Sequence, residues 1–117
     1  TPQDFELLVD LVFSTSGWRR ISVVGGTQDT LDIDMSLPST GEKAFVQVKS
    51  QTTQNEFNNY IAKFLERADL YNRMFFVYNT GQISNPNDSR VTLIGPEELA
   101  KMVIDAGLAG WLIEKAS

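Results

Sequence analysis

The hydrophobic and polar residues of this chain recur with two periods, one typical of helices and one typical of strands. Residues 2–14 show the helical period, with apolar side chains at Phe5, Leu8, Val9 and Val12. Thr1 is a residue type that caps helices, and Gly17 is typical of a helix end. The pattern therefore predicts a first helix over residues 2–14.

Short runs rich in β-branched and aromatic residues predict the strands. Five such runs lie at residues 19–24, 31–37, 44–51, 73–79 and 90–94, with a glycine-containing loop at residues 25–30. Helical spacing returns at residues 54–71, after a Thr53–Glu56 capping box, and again at residues 96–106. A short final helix is predicted over residues 108–115, with Trp111 buried.

The predicted order of elements is α-β-β-β-α-β-β-α-α. A strand-helix-strand segment through the second helix predicts that part of the sheet is parallel. We therefore expect an α/β (α+β) fold, in which a mixed sheet of about five strands is flanked by helices. At 117 residues the chain has the length of one domain with its own core, so residues 1–117 are expected to form a single domain.

Cysteine and histidine are both absent, which excludes several classes of site. Zinc held by Cys or His, Ser-His-Asp triads, Cys nucleophiles and His- or Cys-ligated haem all need residues that the chain lacks. The oxygen ligands that remain favour Mg²⁺ or a similar hard ion. A chain without Cys is typical of a reducing cytoplasm, so a cytoplasmic location is expected.

The net charge of −5 counts against broad electrostatic binding of nucleic acid. A local basic face remains open, because several cations are available: Arg19, Arg20, Lys49, Lys63, Arg67, Arg73 and Arg90. No apolar run approaches the roughly 20 residues that a bilayer requires, so no membrane partner is expected.

Two of the predicted strands carry polar side chains on one face, because residues i and i+2 of a strand point to the same side. Asp32 and Asp34 share a side of one strand, and Gln47 and Lys49 share a side of the next. If the strands pair through a turn at residues 38–43, these four side chains converge on one patch. That patch suits a divalent metal and a phosphodiester. The alternative is the solvated face of a half-exposed hairpin.

Several short motifs in a fixed order resemble the PD-(D/E)xK nuclease superfamily and, within it, the Mrr-like restriction endonuclease domains. The motifs are FELLV at residues 5–9, GW at 17–18, VVGGTQD at 23–29, DID at 32–34, VQVK at 46–49 and TLIGPEELA at 92–100. They cover nearly the whole chain. The resemblance implies a restriction-endonuclease-like fold and a Mg²⁺-dependent (or Mn²⁺-dependent) DNA endonuclease.

The resemblance also implies roles for particular residues. Asp32 and Asp34 would bind the metal, Gln47 would complete the shell, and the carbonyl of Val48 would add a further ligand. Where relatives usually have Gly-Ile-Asp, this chain has LDID at residues 31–34. The sequence therefore leaves open which of the two acids takes the primary place.

Lys49 would stabilise the negative charge that develops on the phosphate. Glu6, on the first helix, resembles an accessory acid near the metal; the alternative is a helix-surface acid that stabilises the first turns of the helix. Gln47 is neutral where other members of the superfamily carry an acid, which favours either weaker metal binding or a single metal ion. It also keeps a second function open, a catalytically inactive nuclease-fold module that binds DNA or a protein partner.

DNA is the expected partner of the nuclease. Two copies would cut both strands of a duplex, so a homodimer is a further alternative. Many relatives of Mrr type carry a DNA-binding domain on the same chain, so an additional DNA-binding domain or subunit outside this chain is also considered.

Overall fold

The computed structural model describes residues 1–26 and 30–107, and eight elements lie within them. The helices are α1 (Pro2–Thr15), α2 (Gln54–Glu66) and α3 (Pro96–Asp105). The strands are β1 (Arg19–Gly26), β2 (Thr30–Leu37), β3 (Glu42–Gln51), β4 (Arg73–Thr80) and β5 (Val91–Ile94). The final helix predicted over residues 108–115, with its Trp111, lies outside the described residues.

The strands form one sheet in the order β1-β2-β3-β4-β5. The first three strands pair antiparallel, whereas β3, β4 and β5 pair parallel. A parallel pair needs a crossover connection, and α2 provides it between β3 and β4. The prediction of a mixed five-stranded sheet flanked by helices is confirmed.

Two predicted boundaries were wrong. α2 ends at Glu66 rather than at residue 71, because the backbone leaves helical geometry at Arg67 and continues as a turn. Tyr71 lies at the end of that turn, where its amide donates to the carbonyl of Arg67. β1 continues through Gly25 and Gly26, which pair with β2, so these two residues belong to a strand and not to the predicted loop.

Different helices pack on the two faces of the sheet. α1 and α3 cover one face over an apolar cluster that includes Ile33, Val46 and Val48. α2 covers the other face over a second cluster that includes Phe45 and Phe76. We call this second side the α2 face. Because side chains alternate along a strand, the residues of β3 next to Val46 and Val48 point to the α2 face.

Among the described residues, no helix combines the length and the apolar character that crossing a membrane would require.

Candidate active site

Asp32 and Gln47 lie directly opposite each other on β2 and β3. Such antiparallel partners have Cβ atoms about 5 Å apart and point to the same side, here the α2 face. Gln47 has 0% exposure, and neither its Oε1 nor its Nε2 makes a hydrogen bond in the described structure. The buried Oδ1 of Asp32 also lacks a partner. Buried polar atoms almost always have partners, so these three atoms need an explanation.

The surroundings of Asp32 are both desolvating and positively charged. Burial raises the pKa of the Asp32 carboxyl, and the charges of Lys63, Arg67 and Lys49 offset part of that rise. Desolvation is the larger effect, so the ionised carboxylate of Asp32 is less stable here than it would be in water. A cation bound to the free oxygen would compensate this cost.

Lys49, two residues beyond Gln47 on the same face of β3, forms an ion pair with Glu56 at the start of α2. Its side chain is only 12% exposed. The hydroxyl of Thr53 accepts a hydrogen bond from the amide of Glu56, as the capping box predicts. The Glu56 carboxylate contacts Lys49, and that hydrogen bond is the main cause that lowers the pKa of Glu56. Glu56 therefore orients the ammonium group of Lys49.

α2 and the turn after it bring further side chains to this centre. Burial, followed by the charges of Asp32 and Glu56, raises the pKa of Tyr60. The Lys63 ammonium lies 4.7 Å from the centre of the Tyr60 ring. Arg67 adds its charge beside Asp32. Sequence reasoning did not assign these side chains to the site, although residues 56, 60, 63 and 67 have the spacing of one helix face.

Asp34 shares the α2 face but has a different neighbourhood. It lies opposite Phe45 and accepts a hydrogen bond from the hydroxyl of Tyr71. Burial and this bond raise the pKa of Tyr71 to about 12. With Lys43 and Tyr71, Asp34 lines a cleft of about 180 Å³. The sequence did not distinguish Asp32 from Asp34 as the primary metal ligand, and the structure shows that their contacts differ. The metal-binding role of Asp34 stays a prediction.

The structure does not bring Glu6 to this centre. Glu6 lies on α1, which packs against the opposite face of the sheet. Burial raises its pKa, and the charge of Arg20 lowers it in part. The side chain of Val48 also points to that opposite face, so its predicted role rests on its backbone carbonyl alone. The roles of Glu6 and Val48 stay predictions.

Gln47→Met is expected to raise the free energy of unfolding by about 1–2 kcal/mol, because it replaces an unpaired buried amide with an apolar side chain of similar volume. Urea denaturation measures the change. Gln51→Met is the matched control, since Gln51 is exposed on the same strand and should shift stability by less than about 0.5 kcal/mol. A less stable Gln47→Met variant would show that the amide has partners that stabilise it.

The five-stranded mixed sheet, flanked by three helices in the described part of the chain, is consistent with a restriction-endonuclease-like fold. The Mrr_cat family model, which is described as a restriction endonuclease, matches residues 1–103. The chain therefore belongs to this restriction endonuclease family, as the sequence motifs predicted. No curated protein shows significant similarity to the chain.

Proposed function

We propose that this chain is a metal-dependent DNA endonuclease domain, which hydrolyses phosphodiester bonds with Mg²⁺ or Mn²⁺. One observation carries the proposal: two oxygen atoms without partners, Asp32 Oδ1 and Gln47 Oε1, lie on facing residues beside Lys49. Membership of a restriction endonuclease family supports the nuclease reaction.

The donor set at this centre fits a hard divalent ion. Asp32 offers a carboxylate oxygen, Gln47 an amide oxygen and Val48 a backbone carbonyl, all of which Mg²⁺ accepts as ligands. In the described part of the chain, no three acidic side chains cluster in a way that could hold a metal. We therefore assign Asp32 as the primary metal ligand and place Asp34 outside the direct ligands. We expect the metal ion to bind weakly. The ion would supply a Lewis acid that neutralises phosphate charge and lowers the pKa of bound water.

The remaining steps fall to side chains of this chain. Lys49 Nζ donates to an oxygen of the scissile phosphate and stabilises the negative charge of the transition state. Lys63 and Arg67 lie on the same side and bind neighbouring phosphates. Water attacks the phosphorus directly and gives up a proton to solvent, while the bond from phosphorus to the leaving ester oxygen breaks and that oxygen takes up a proton, so no covalent intermediate forms with the protein. Glu6 lies on α1, against the opposite face, so the accessory role that the family resemblance implies is not part of these steps.

Glu56→Gln is expected to lower the cleavage rate about tenfold and to leave the KM for DNA nearly unchanged. The amide keeps the shape of the side chain but loses the charge that orients Lys49, and small misplacements of a catalytic group are costly. Glu66→Gln is the matched control, because Glu66 is exposed on the same helix. Equal kcat values for Glu56→Gln and Glu66→Gln would show that Glu56 does not orient Lys49 for catalysis.

Conversion of supercoiled plasmid to nicked and linear forms tests the proposed function. The protein is expected to convert plasmid in millimolar Mg²⁺ or Mn²⁺ and to stop when EDTA is added. Absence of conversion with both metals, on supercoiled, linear and single-stranded DNA, would contradict it.

The second candidate is a module that binds DNA without cutting it. The neutral Gln47, together with the Lys49 ammonium held by Glu56, favours this alternative. DNA binding in EDTA, with no conversion in either metal, would support the module over the nuclease.

A further inference from the structure

Most of the lysines and arginines that form no ion pair with a carboxylate in the described part of the chain lie on one side of the sheet. The structure describes the side chains of nine of the ten lysines and arginines, and four of these form ion pairs with carboxylates. The remaining five are Arg19, Lys43, Lys63, Arg67 and Lys101. Lys63 and Arg67 flank Asp32 on the α2 face.

Arg19, Ser36 and Lys43 form a row across three neighbouring strands. Arg19 pairs with Ser36, and Ser36 pairs with Lys43. Directly paired residues point to the same side of a sheet. Lys43 precedes Ala44, which packs in the α1 and α3 cluster, so the row points to the α2 face.

This part of the α2 face is open. α2 packs over β4, and Ile21 of the edge strand β1 keeps 56% of its surface exposed. Arg19 and Lys43 are exposed as well. The acid nearest to the row along β2 is Asp34, which is engaged by Tyr71. The row therefore presents a hydroxyl between two cations, neither of which forms an ion pair with a carboxylate in the described part of the chain, although Asp34 lines the same cleft as Lys43.

We infer that Arg19, Ser36 and Lys43 form a second contact for the DNA backbone, separate from the centre at Asp32. The inference rests on the proposed function. Ser36 is four residues from Asp32 on β2, a distance of about 13 Å, which equals the axial rise of about four base pairs. Arg19 and Lys43 are two strand spacings apart, about 10 Å. A DNA strand that reaches Lys49 and follows β2 would bring further phosphates to this row.

A phosphate backbone is the occupant that this chemistry fits. Arginine and lysine give charge-assisted hydrogen bonds to phosphate oxygens, and serine hydroxyls are frequent phosphate contacts. The chain as a whole carries a net charge of −5, so nucleic acid would be repelled by most of the surface. A band from Arg67 and Lys63 to Lys43 and Arg19 would guide the duplex across the β1–β2 ribbon.

The salt dependence of DNA binding tests this contact. The probe is a fluorescein-labelled duplex of about 30 base pairs in EDTA, and anisotropy gives Kd at several salt concentrations. Arg19→Gln and Lys43→Gln should each reduce the slope of log K against log salt by about 0.9, and the double variant by about 1.8. If the unmodified protein and the double variant bind DNA equally at 1 M salt, a difference of about 1.8 in slope makes their Kd values differ by roughly 60-fold at 0.1 M salt.

Lys101→Gln is the matched control, because Lys101 is the fifth unpaired cation and lies on α3, against the opposite face. Its slope should equal that of the unmodified protein. Slopes for Arg19→Gln and Lys43→Gln that match this control would overturn the second contact, while metal-dependent cleavage would leave the proposed function standing. An unmodified protein that neither binds nor cuts DNA would overturn both.

Discussion

Replacing Asp32 with asparagine is expected to abolish plasmid cleavage, with a fall in rate of at least about a thousandfold. Asp32 supplies the only charged ligand of the proposed primary metal position, and the rate depends on the ion that it holds. The neighbouring Gln47 is neutral and cannot replace the lost charge. The rate of conversion of supercoiled plasmid in Mg²⁺ measures the effect.

The same change should not weaken the fold. Burial raises the pKa of Asp32 above its ordinary value of 3.8. The carboxylate is therefore less favourable, relative to the neutral acid, in the folded protein than in the unfolded chain. The charged form therefore costs stability at neutral pH, and this cost disappears as the pH falls below the ordinary value. Asp32→Asn removes the charge, and its free energy of unfolding at pH 7 is expected to be at least that of the unmodified protein.

Asp34→Asn is the comparison that separates the two acids. Asp34 accepts the hydrogen bond of Tyr71, so its replacement should reduce cleavage by less than about tenfold and cost some stability. Cleavage that survives Asp32→Asn but is lost in Asp34→Asn would reverse the assignment of the primary ligand.

Lys49→Ala is the second change with a large expected effect. Removing a group that stabilises transition-state charge costs about 10²- to 10³-fold in kcat. The fold should remain, because the Glu56 left behind is 40% exposed and can be hydrated. Single-turnover cleavage at saturating protein measures the chemical step without the contribution of DNA binding.

Lys101→Ala, on the opposite side of the sheet, controls for the loss of one positive charge. Lys49→Met provides a second test that keeps most of the side-chain volume. If both Lys49 variants cut at the unmodified rate in Mg²⁺, Lys49 has no part in the chemistry.

The alternation of side chains along each strand of the β2–β3 hairpin was sufficient to predict which residues share a face, whereas the cross-strand register comes from the structure. The register pairs Asp32 with Gln47, and Lys49 lies two residues further along the same face of β3. The capping-box pattern also predicted the N-terminal cap of α2, in which the Thr53 hydroxyl accepts a hydrogen bond from the amide of Glu56. These features depend on strand period and on contacts a few residues apart, which a sequence displays directly.

The difference between Asp32 and Asp34 could not be predicted in this way. It arises because α2 stops at Glu66 and the following turn places Tyr71 next to Asp34, 37 residues away in sequence. The pairing of Lys49 with Glu56 likewise depends on where α2 lies on the sheet. Contacts of this kind are set by packing between elements, so the spacing of residues along the chain does not reveal them.

Asp32 and Gln47 are proposed to hold a divalent ion beside Lys49, and a crystal soaked in millimolar Mn²⁺ tests this binding. We expect an anomalous density peak about 2.0–2.2 Å from Asp32 Oδ1 and within ligand distance of Gln47 Oε1. The same peak should be absent from the Asp32→Asn variant. An unmodified crystal with no peak at this position, or with Mn²⁺ bound only elsewhere, would show that these residues do not form the metal site.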